Sequence, residues 1–509
     1  MIKTPDSSAK KIYDIAIIGG GVNGCGVARD AAGRGLSVLL LEKDDLASAT
    51  SSASSKLVHG GLRYLEQYEF LLVRKALQER ETLLSIAPHI ISPLRLVLPH
   101  NKDLRPKWMI RIGLFLYDVL GGRKLLKKSR QIDLRSDAAG QALKPEFTHG
   151  FEYADCKVDD ARLVILNAVD ASQYGADIKT RCELKQGHRH SDHWRLQTKD
   201  VLTGKANEFK ARILVNAAGP WVSEVVSDRI MLDTTSEVRL VKGSHIIVSK
   251  LFEHDRAYIF QNADNRVIFA IPFHGDFTLI GTTDVDITGN PGGAQVSKQE
   301  VDYLCDAANE YFTTRITPGD VVWKFAGVRP LFDDGEDAAS ETTRDYVLEL
   351  LDSKDLPPLL SVFGGKITTY RKLAEAVLKD LAQWLPGLKP EWTATAPLPG
   401  GDFALADLEK HITDLQRDFS FLSLKTARRL FQAYGTKARE LLAGCKTEKD
   451  MGLLFGSDLY QREVEYLIDK EWALTVEDII WRRSKTGLFM SAKQIASLKD
   501  WLQEHGPRR

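Results

Sequence analysis

Cysteine is sparse and scattered. Cys25, Cys156, Cys182, Cys305 and Cys445 include no Cys-x-x-Cys pair, and an odd count at such wide spacing speaks against a disulfide framework or a zinc site. A reducing compartment and no metal are the expectations. An excess of one charge is missing too: 69 basic residues balance 69 acidic ones. That excludes a surface adapted as a whole to nucleic acid, and no such partner is expected. Nor is there a long apolar run. No stretch reaches the roughly 18 apolar residues that a bilayer-spanning helix needs. The opening "MIKTPDSSAKKIYDIAIIGG" lacks the apolar core of a signal peptide. The expected protein is cytoplasmic, soluble or peripherally attached to a membrane.

What is present is globular in bulk. Of 509 residues, 43% are apolar and 27% charged, which excludes wholesale disorder. The length exceeds one compact core and allows about two to four domains. "YDIAIIGGGVNGCGVARDAAGRGLSVLLLEKDD" (Tyr13–Asp45) reads as strand, turn, helix and strand. Gly19, Gly21 and Gly24 form G-x-G-x-x-G. They serve a tight turn, a close backbone approach to a pyrophosphate, and close helix–strand packing. The helix after them points free N–H groups and partial positive charge at that pyrophosphate. Glu42 ends the next strand, where a carboxylate accepts from ribose hydroxyls and repels a 2′-phosphate. This leaves NAD or FAD.

Two later elements favour FAD. "ARILVNAAGPW" ends a strand at Ala218 and Gly219, and "LLSVFGGKITTYRKLAEAVLKDLAQWL" runs a strand into Gly364-Gly365-Lys366 and then Thr368-Thr369. A glycine pair before a helix start supplies N–H donors, which a reduced flavin needs where its negative charge develops. Between these lies "TSSASSKLVHGGLRYLEQYEF", whose hydroxyl-rich run of Thr50, Ser51, Ser52, Ser54, Ser55 and Lys56 is expected to bind the cofactor's pyrophosphate and ribityl chain.

These motifs, with "WMIRIGLFLYD", "VDDARLV", "KGSHIIV", "IGTTDVD", "GVRPL" and "TTRDYVL", resemble those of the FAD-dependent glycerol-3-phosphate dehydrogenases of the bacterial, membrane-associated type. The resemblance runs from Ile17 to about Glu375 and continues into a helical tail. It implies an α/β, Rossmann-type FAD-binding domain with an inserted antiparallel-sheet substrate domain, as in glycine and D-amino-acid oxidases. Residues 12–388 would form this discontinuous region and 389–509 a helical C-terminal domain. It also implies oxidation of sn-glycerol 3-phosphate at C2 to dihydroxyacetone phosphate, hydride transfer to FAD, and onward passage of electrons to a membrane quinone.

The residues suit that chemistry. A phosphate dianion calls for arginine forks or lysine, and Arg63, Arg329, Arg344 and Lys366 are the candidates, with Tyr64 beside them. Arg344 has Asp345 as an alternative partner. Alcohol oxidation needs a proton acceptor near neutrality, which histidine supplies. His59, in the densest polar motif, is the first choice, with Arg329 and Lys366 assisting, and His245 is the second.

"LRPKWMIRIGLFLYDVLGGRKLLKK" places Trp108, Met109, Ile112, Leu114, Phe115 and Leu116 among Arg105, Lys107, Arg111, Arg123, Lys124, Lys127 and Lys128. Basic flanks around an apolar helix suit an anionic phospholipid surface, here the cytoplasmic face of the inner membrane. A buried helix with solvated flanks is the plainer alternative. Nothing in the tail looks catalytic; a homodimer is expected. Rival readings on the same scaffold are an O2-using glycerol-3-phosphate oxidase that makes peroxide, an amine or amino-acid oxidase, and a flavin-binding protein without turnover.

Overall fold

The computed structural model describes residues 11–506, apart from 102–104, 123–124, 234–235, 263, 265, 334–344 and 354–355. The chain folds around two sheets and a helical C-terminal part. In the first sheet, Ile12–Ile18 lies parallel between Ala206–Asn216 and Val38–Leu41, with Ile17 opposite both Val215 and Leu40. Leu356–Gly364 extends this parallel set on one side and Asp177–Lys179 on the other. Ile15, Ala16 and Ile17 are fully buried, as a continuous apolar run requires in a sheet covered on both faces. Helices Val22–Gly33, Asp160–Gln173 and Tyr370–Asp380 pack together over this sheet through Val27, Ala31, Leu163 and Leu373.

The second sheet is mostly antiparallel and centres on Val238–Ser249, which pairs with Phe277–Gly281 and along Val321–Phe332. Its far end holds Ile91–His100 against His149–Val158. Lys298–Tyr311 packs across it around Leu304, Phe260 and Phe312. The sheets meet along one long cleft.

The tail is helical as expected. Leu408–Asp418, Leu424–Tyr434, Gln461–Glu471 and Ala492–His505 close around Ile412, Leu430, Phe431, Leu467 and Ile479. The second is capped by Ser423, and the last opens on a Ser491–Gln494 capping box. This part is bound firmly to the rest. Arg483 donates to Asp45 and Arg181 to Asp478, both at 2.8 Å, while Arg162 pairs with Glu471. Trp481 stacks on Trp323 with centroids 4.2 Å apart.

Among the described residues no helix is long and apolar enough to cross a membrane. Lys107–Leu120 buries only Leu114 and Tyr117 fully, and leaves Trp108 63% and Phe115 62% exposed beside Ile112 and Val119. Leu114, expected in the apolar face, instead points inward. Arg123 and Lys124 lie outside the described residues.

Candidate active site

A cavity of about 670 Å³ runs along the cleft. Gly19 opens one end in a left-handed conformation (φ +109°), and a Cβ there would lie 2.5 Å from the carbonyl oxygen of Ala217. No side chain fits this turn. A Cβ at Gly24 would strike the Gly19 carbonyl, so this glycine lets helix and strand approach. The N–H of Val22, at the helix start, donates to Ser51 Oγ at 3.0 Å. Ser51 thus caps the helix from a distance and presents its hydroxyl beside the turn.

Glu42 closes the same end. Its Oε2 accepts from Gly20 N–H and its Oε1 from Asp44 N–H, each at 2.7 Å. These bonds fix the carboxylate and leave each oxygen a further lone pair for a ribose hydroxyl. Burial pushes its pKa up to about 6, against the pull of those N–H groups. Ala218 and Gly219 line the wall opposite. The glycine turn, the helix start and this carboxylate fit an adenine dinucleotide, and the remaining length of the cavity fits a flavin.

At the far end the wall carries His59, Tyr64, His245, Arg329, Gly364, Gly365, Lys366 and Thr368. Gly364 and Gly365 both have positive φ, of 73° and 97°, and turn the strand end toward the cavity. Asn23 Nδ2 donates to the Gly364 carbonyl at 3.2 Å and ties this turn to the first helix. Lys366 Nζ sits 3.9 Å above the Tyr64 ring. Arg329 pairs with Asp284 and donates to Thr282 Oγ1 at 3.0 Å.

His245 is 2% exposed, stacks on Phe325 at 4.9 Å and shares a 2.9 Å hydrogen bond between Nε2 and Ser55 Oγ. Its Nδ1 is buried without a hydrogen-bond partner. Burial above all, then Arg329 and Lys56, hold its pKa well below 6.5, so the ring is neutral at pH 7. The backbone N–H of His59 donates to Thr368 Oγ1 at 3.2 Å, joining the two glycine-rich loops.

The hydroxyl-rich run divides. Thr50, Ser51, Ser54 and Ser55 line the cavity, whereas Ser52 and Lys56 do not. Thr50 Oγ1 also donates to the Val328 carbonyl at 2.6 Å. Lys56 has a left-handed backbone (φ 59°), and its Nζ turns back onto Asp160 at 2.7 Å and the Ser52 carbonyl. Its part is to hold the loop rather than to touch a cofactor, since a buried ammonium needs a carboxylate partner. Arg63 and Thr369 also stand off the cavity lining. Arg344 lies outside the described residues.

Asn23, Thr282 and Asp284 went unassigned in the sequence reading. "IGTTDVD" contains the last two, but nothing in that motif names Arg329 as their partner.

Comparison with known proteins agrees with this geometry. Residues 14–371 match the family described as FAD dependent oxidoreductase, and 392–504 that described as the C-terminal domain of alpha-glycerophosphate oxidase. The chain is 50% identical to a glycerol-3-phosphate dehydrogenase of Pseudomonas aeruginosa, over 99% of this chain and 98% of that one. It is 49% identical to a D-erythritol 1-phosphate dehydrogenase of Brucella abortus, covering 96% and 97% of the two chains. A glycerol-3-phosphate dehydrogenase of Bacillus halodurans solved with FAD superposes with a TM-score of 0.78 at 28% identity, covering 98% of this chain and 92% of that one. Glycine oxidase from Geobacillus kaustophilus shares the fold at a TM-score of 0.56 and 20% identity, over 76% of this chain and 98% of that one. The cofactor is FAD.

Proposed function

The chain belongs to the FAD-dependent oxidoreductases, on their glycerol-3-phosphate dehydrogenase branch, and from that premise we propose that it oxidises sn-glycerol 3-phosphate at C2 to dihydroxyacetone phosphate. One observation carries this reading: a single cavity joins the dinucleotide cradle at Gly19 and Glu42 to a cationic end at Arg329 and Lys366. FAD held along this cavity would supply the acceptor for the hydride from C2. Arg329 and Lys366 bind the phosphate dianion, with Tyr64 supporting the lysine. Asp284 and Thr282 leave Arg329 further N–H groups to donate.

The alcohol proton goes to a histidine. His245, buried, stacked on Phe325, hydrogen-bonded to Ser55 and neutral, is read as that acceptor in place of His59, the first choice from motif density. A phosphate dianion seated near Arg329 offsets one of the charges that depress His245, so substrate binding strengthens this base. His59 then shapes the pocket.

The erythritol-phosphate relative supports a second substrate, a four-carbon polyol phosphate with the same terminal group. Anaerobic mixing with each ester decides. Glycerol 3-phosphate should bleach the flavin absorbance band within seconds, and an unbleached band would overturn the assignment. A slower response to D-erythritol 1-phosphate would rank the two.

The electron acceptor is read as a membrane quinone, approached from the cytoplasmic face. Support comes from Lys107–Leu120, whose exposed Trp108, Ile112 and Phe115 stand beside Arg105, Lys107 and Arg111. Co-flotation with vesicles containing anionic lipid should be lost in a Trp108→Ser, Phe115→Ser double variant. Faster peroxide formation than quinone-analogue reduction would favour the oxidase instead.

A further inference from the structure

One buried side chain of the Lys107–Leu120 helix, the tyrosine of "WMIRIGLFLYD", meets the active-site loop and has no part in the mechanism above. Tyr117 is buried on the inner face of that helix, and its hydroxyl accepts from the Gly60 N–H at 2.8 Å. The same hydroxyl donates to Asp155, with its two carboxylate oxygens at 2.7 and 2.8 Å. Arg80 holds Asp155 in turn, donating to Oδ1 at 2.7 Å and to the Ala154 carbonyl at 2.7 Å. Arg80, Tyr117 and Asp155 are each 3% exposed or less. Buried polar groups tied together this way specify one geometry, because any of them left unpaired would keep its desolvation penalty with nothing to offset it.

What that geometry serves is the segment from His59 to Tyr64. A Cβ at Gly60 would lie 2.7 Å from the Tyr117 hydroxyl and strike Leu77, so the backbone is pressed directly against the network. Gly61 follows in the left-handed region (φ +76°), and the chain then turns to bring Tyr64 beneath Lys366. Three elements distant in sequence therefore fix one loop: Arg80 from Phe70–Ile86, Tyr117 from Lys107–Leu120 and Asp155 from His149–Val158.

We propose that Tyr117 is a positioning residue for the phosphate end of the site: by anchoring Gly60, it sets where Tyr64 holds Lys366. This rests on the functional reading above. It also makes the exposed helix and the substrate pocket one mechanical unit, joined by this hydroxyl together with the apolar packing of Leu114 with Leu62 and Leu65.

Tyr117→Phe tests it. The ring retains its edge-on packing against Tyr153, and the Gly60 N–H retains a longer bond, 3.3 Å, to Asp155, so folding and flavin content should persist. In anaerobic bleaching, the substrate concentration for half-maximal rate should rise about tenfold, with the limiting rate changed less. Inorganic phosphate should raise the melting temperature of the variant holoenzyme less than that of the wild type. Gly60→Ala, which pushes on the loop from the other side, should shift the half-saturating concentration the same way, and decides the matter if the phenylalanine variant does not fold. A half-saturating concentration and a phosphate response within twofold of wild type in the folded variants would overturn the proposal. A wild-type flavin that glycerol 3-phosphate does not bleach would instead overturn the functional reading beneath it.

Discussion

At the nucleotide end of the cavity, Gly19, Gly21, Glu42 and Ser51 come from one continuous stretch, the strand, helix and strand and the short Thr50–Ser52 turn after them. At the phosphate end, Tyr64, His245, Arg329 and Lys366 come from four separate parts of the chain. The first end is built by local rules: a positive φ, a helix start and a carboxylate one strand away. The second is built by sheet register. Val241 stands opposite Arg329 and His245 opposite Phe325 because two long strands pair without a slip until Ile247. Such pairing sets side chains on a shared face by alternation. The difference predicts that the ends fail separately.

The largest effect is expected from Gly19→Val. With φ at +109° and the Ala217 carbonyl 2.5 Å from a Cβ, the turn cannot form, and the purified protein should carry almost no flavin by absorbance. Arg329→Ala should do the converse. Flavin content stays at wild-type stoichiometry while KM for the phosphate ester rises about a hundredfold, the scale of losing charge-assisted bonds to a dianion. A flavin-free Arg329→Ala protein would break the separation.

Asp284→Asn should act more weakly. The amide oxygen still accepts from Arg329, but the charge that orients the fork is gone, so KM should rise about threefold to tenfold with kcat little changed. An unchanged KM would leave Asp284 without a part in the site.

One further effect, on stability and not on turnover, concerns neither end. His89 is buried with no hydrogen-bond partner on either ring nitrogen, and burial brings its pKa down from 6.5 to about 3. A folded-state pKa below the unfolded one means that the unfolded chain binds the proton first as pH falls. Stability is therefore unaffected above pH 6.5 and lost progressively between 6.5 and 3. At pH 5 the loss is on the order of 2 kcal/mol. His89→Phe should flatten the fall in melting temperature between pH 7 and pH 5, and an equal fall in both proteins would exclude His89 as its source.

The same contrast explains what was legible in the sequence. The parallel sheet, the glycine turn, Glu42 and the helical tail each follow from a contiguous pattern, and each stands in the structure. The family resemblance carried the reading further, since it picked out Arg329, Lys366 and both histidines as one set. Lys56 shows where pattern fails. Its place in a hydroxyl-rich run suited a phosphate, but a left-handed backbone sends it to Asp160, 104 residues away. Asp284 and Tyr117 lie in quoted motifs, yet their roles, like that of Arg80, are not legible there for a related reason. A carboxylate on a turn, a tyrosine in an amphipathic helix and an arginine in another helix have many ordinary uses, and only packing identifies their partners.

The pairing of Asp45 with Arg483 spans 438 residues of chain. Synthesis at about 5 to 20 residues per second puts roughly 20 to 90 seconds between the appearance of the carboxylate and that of its guanidinium. For roughly the first three quarters of that interval the nucleotide turn also lacks the Leu356–Gly364 strand that completes the sheet, and for the whole of it Asp45 lacks its guanidinium partner. A ribosome-bound chain therefore carries an unfinished cradle until its Leu356–Gly364 strand is made, and an uncompensated Asp45 for longer still.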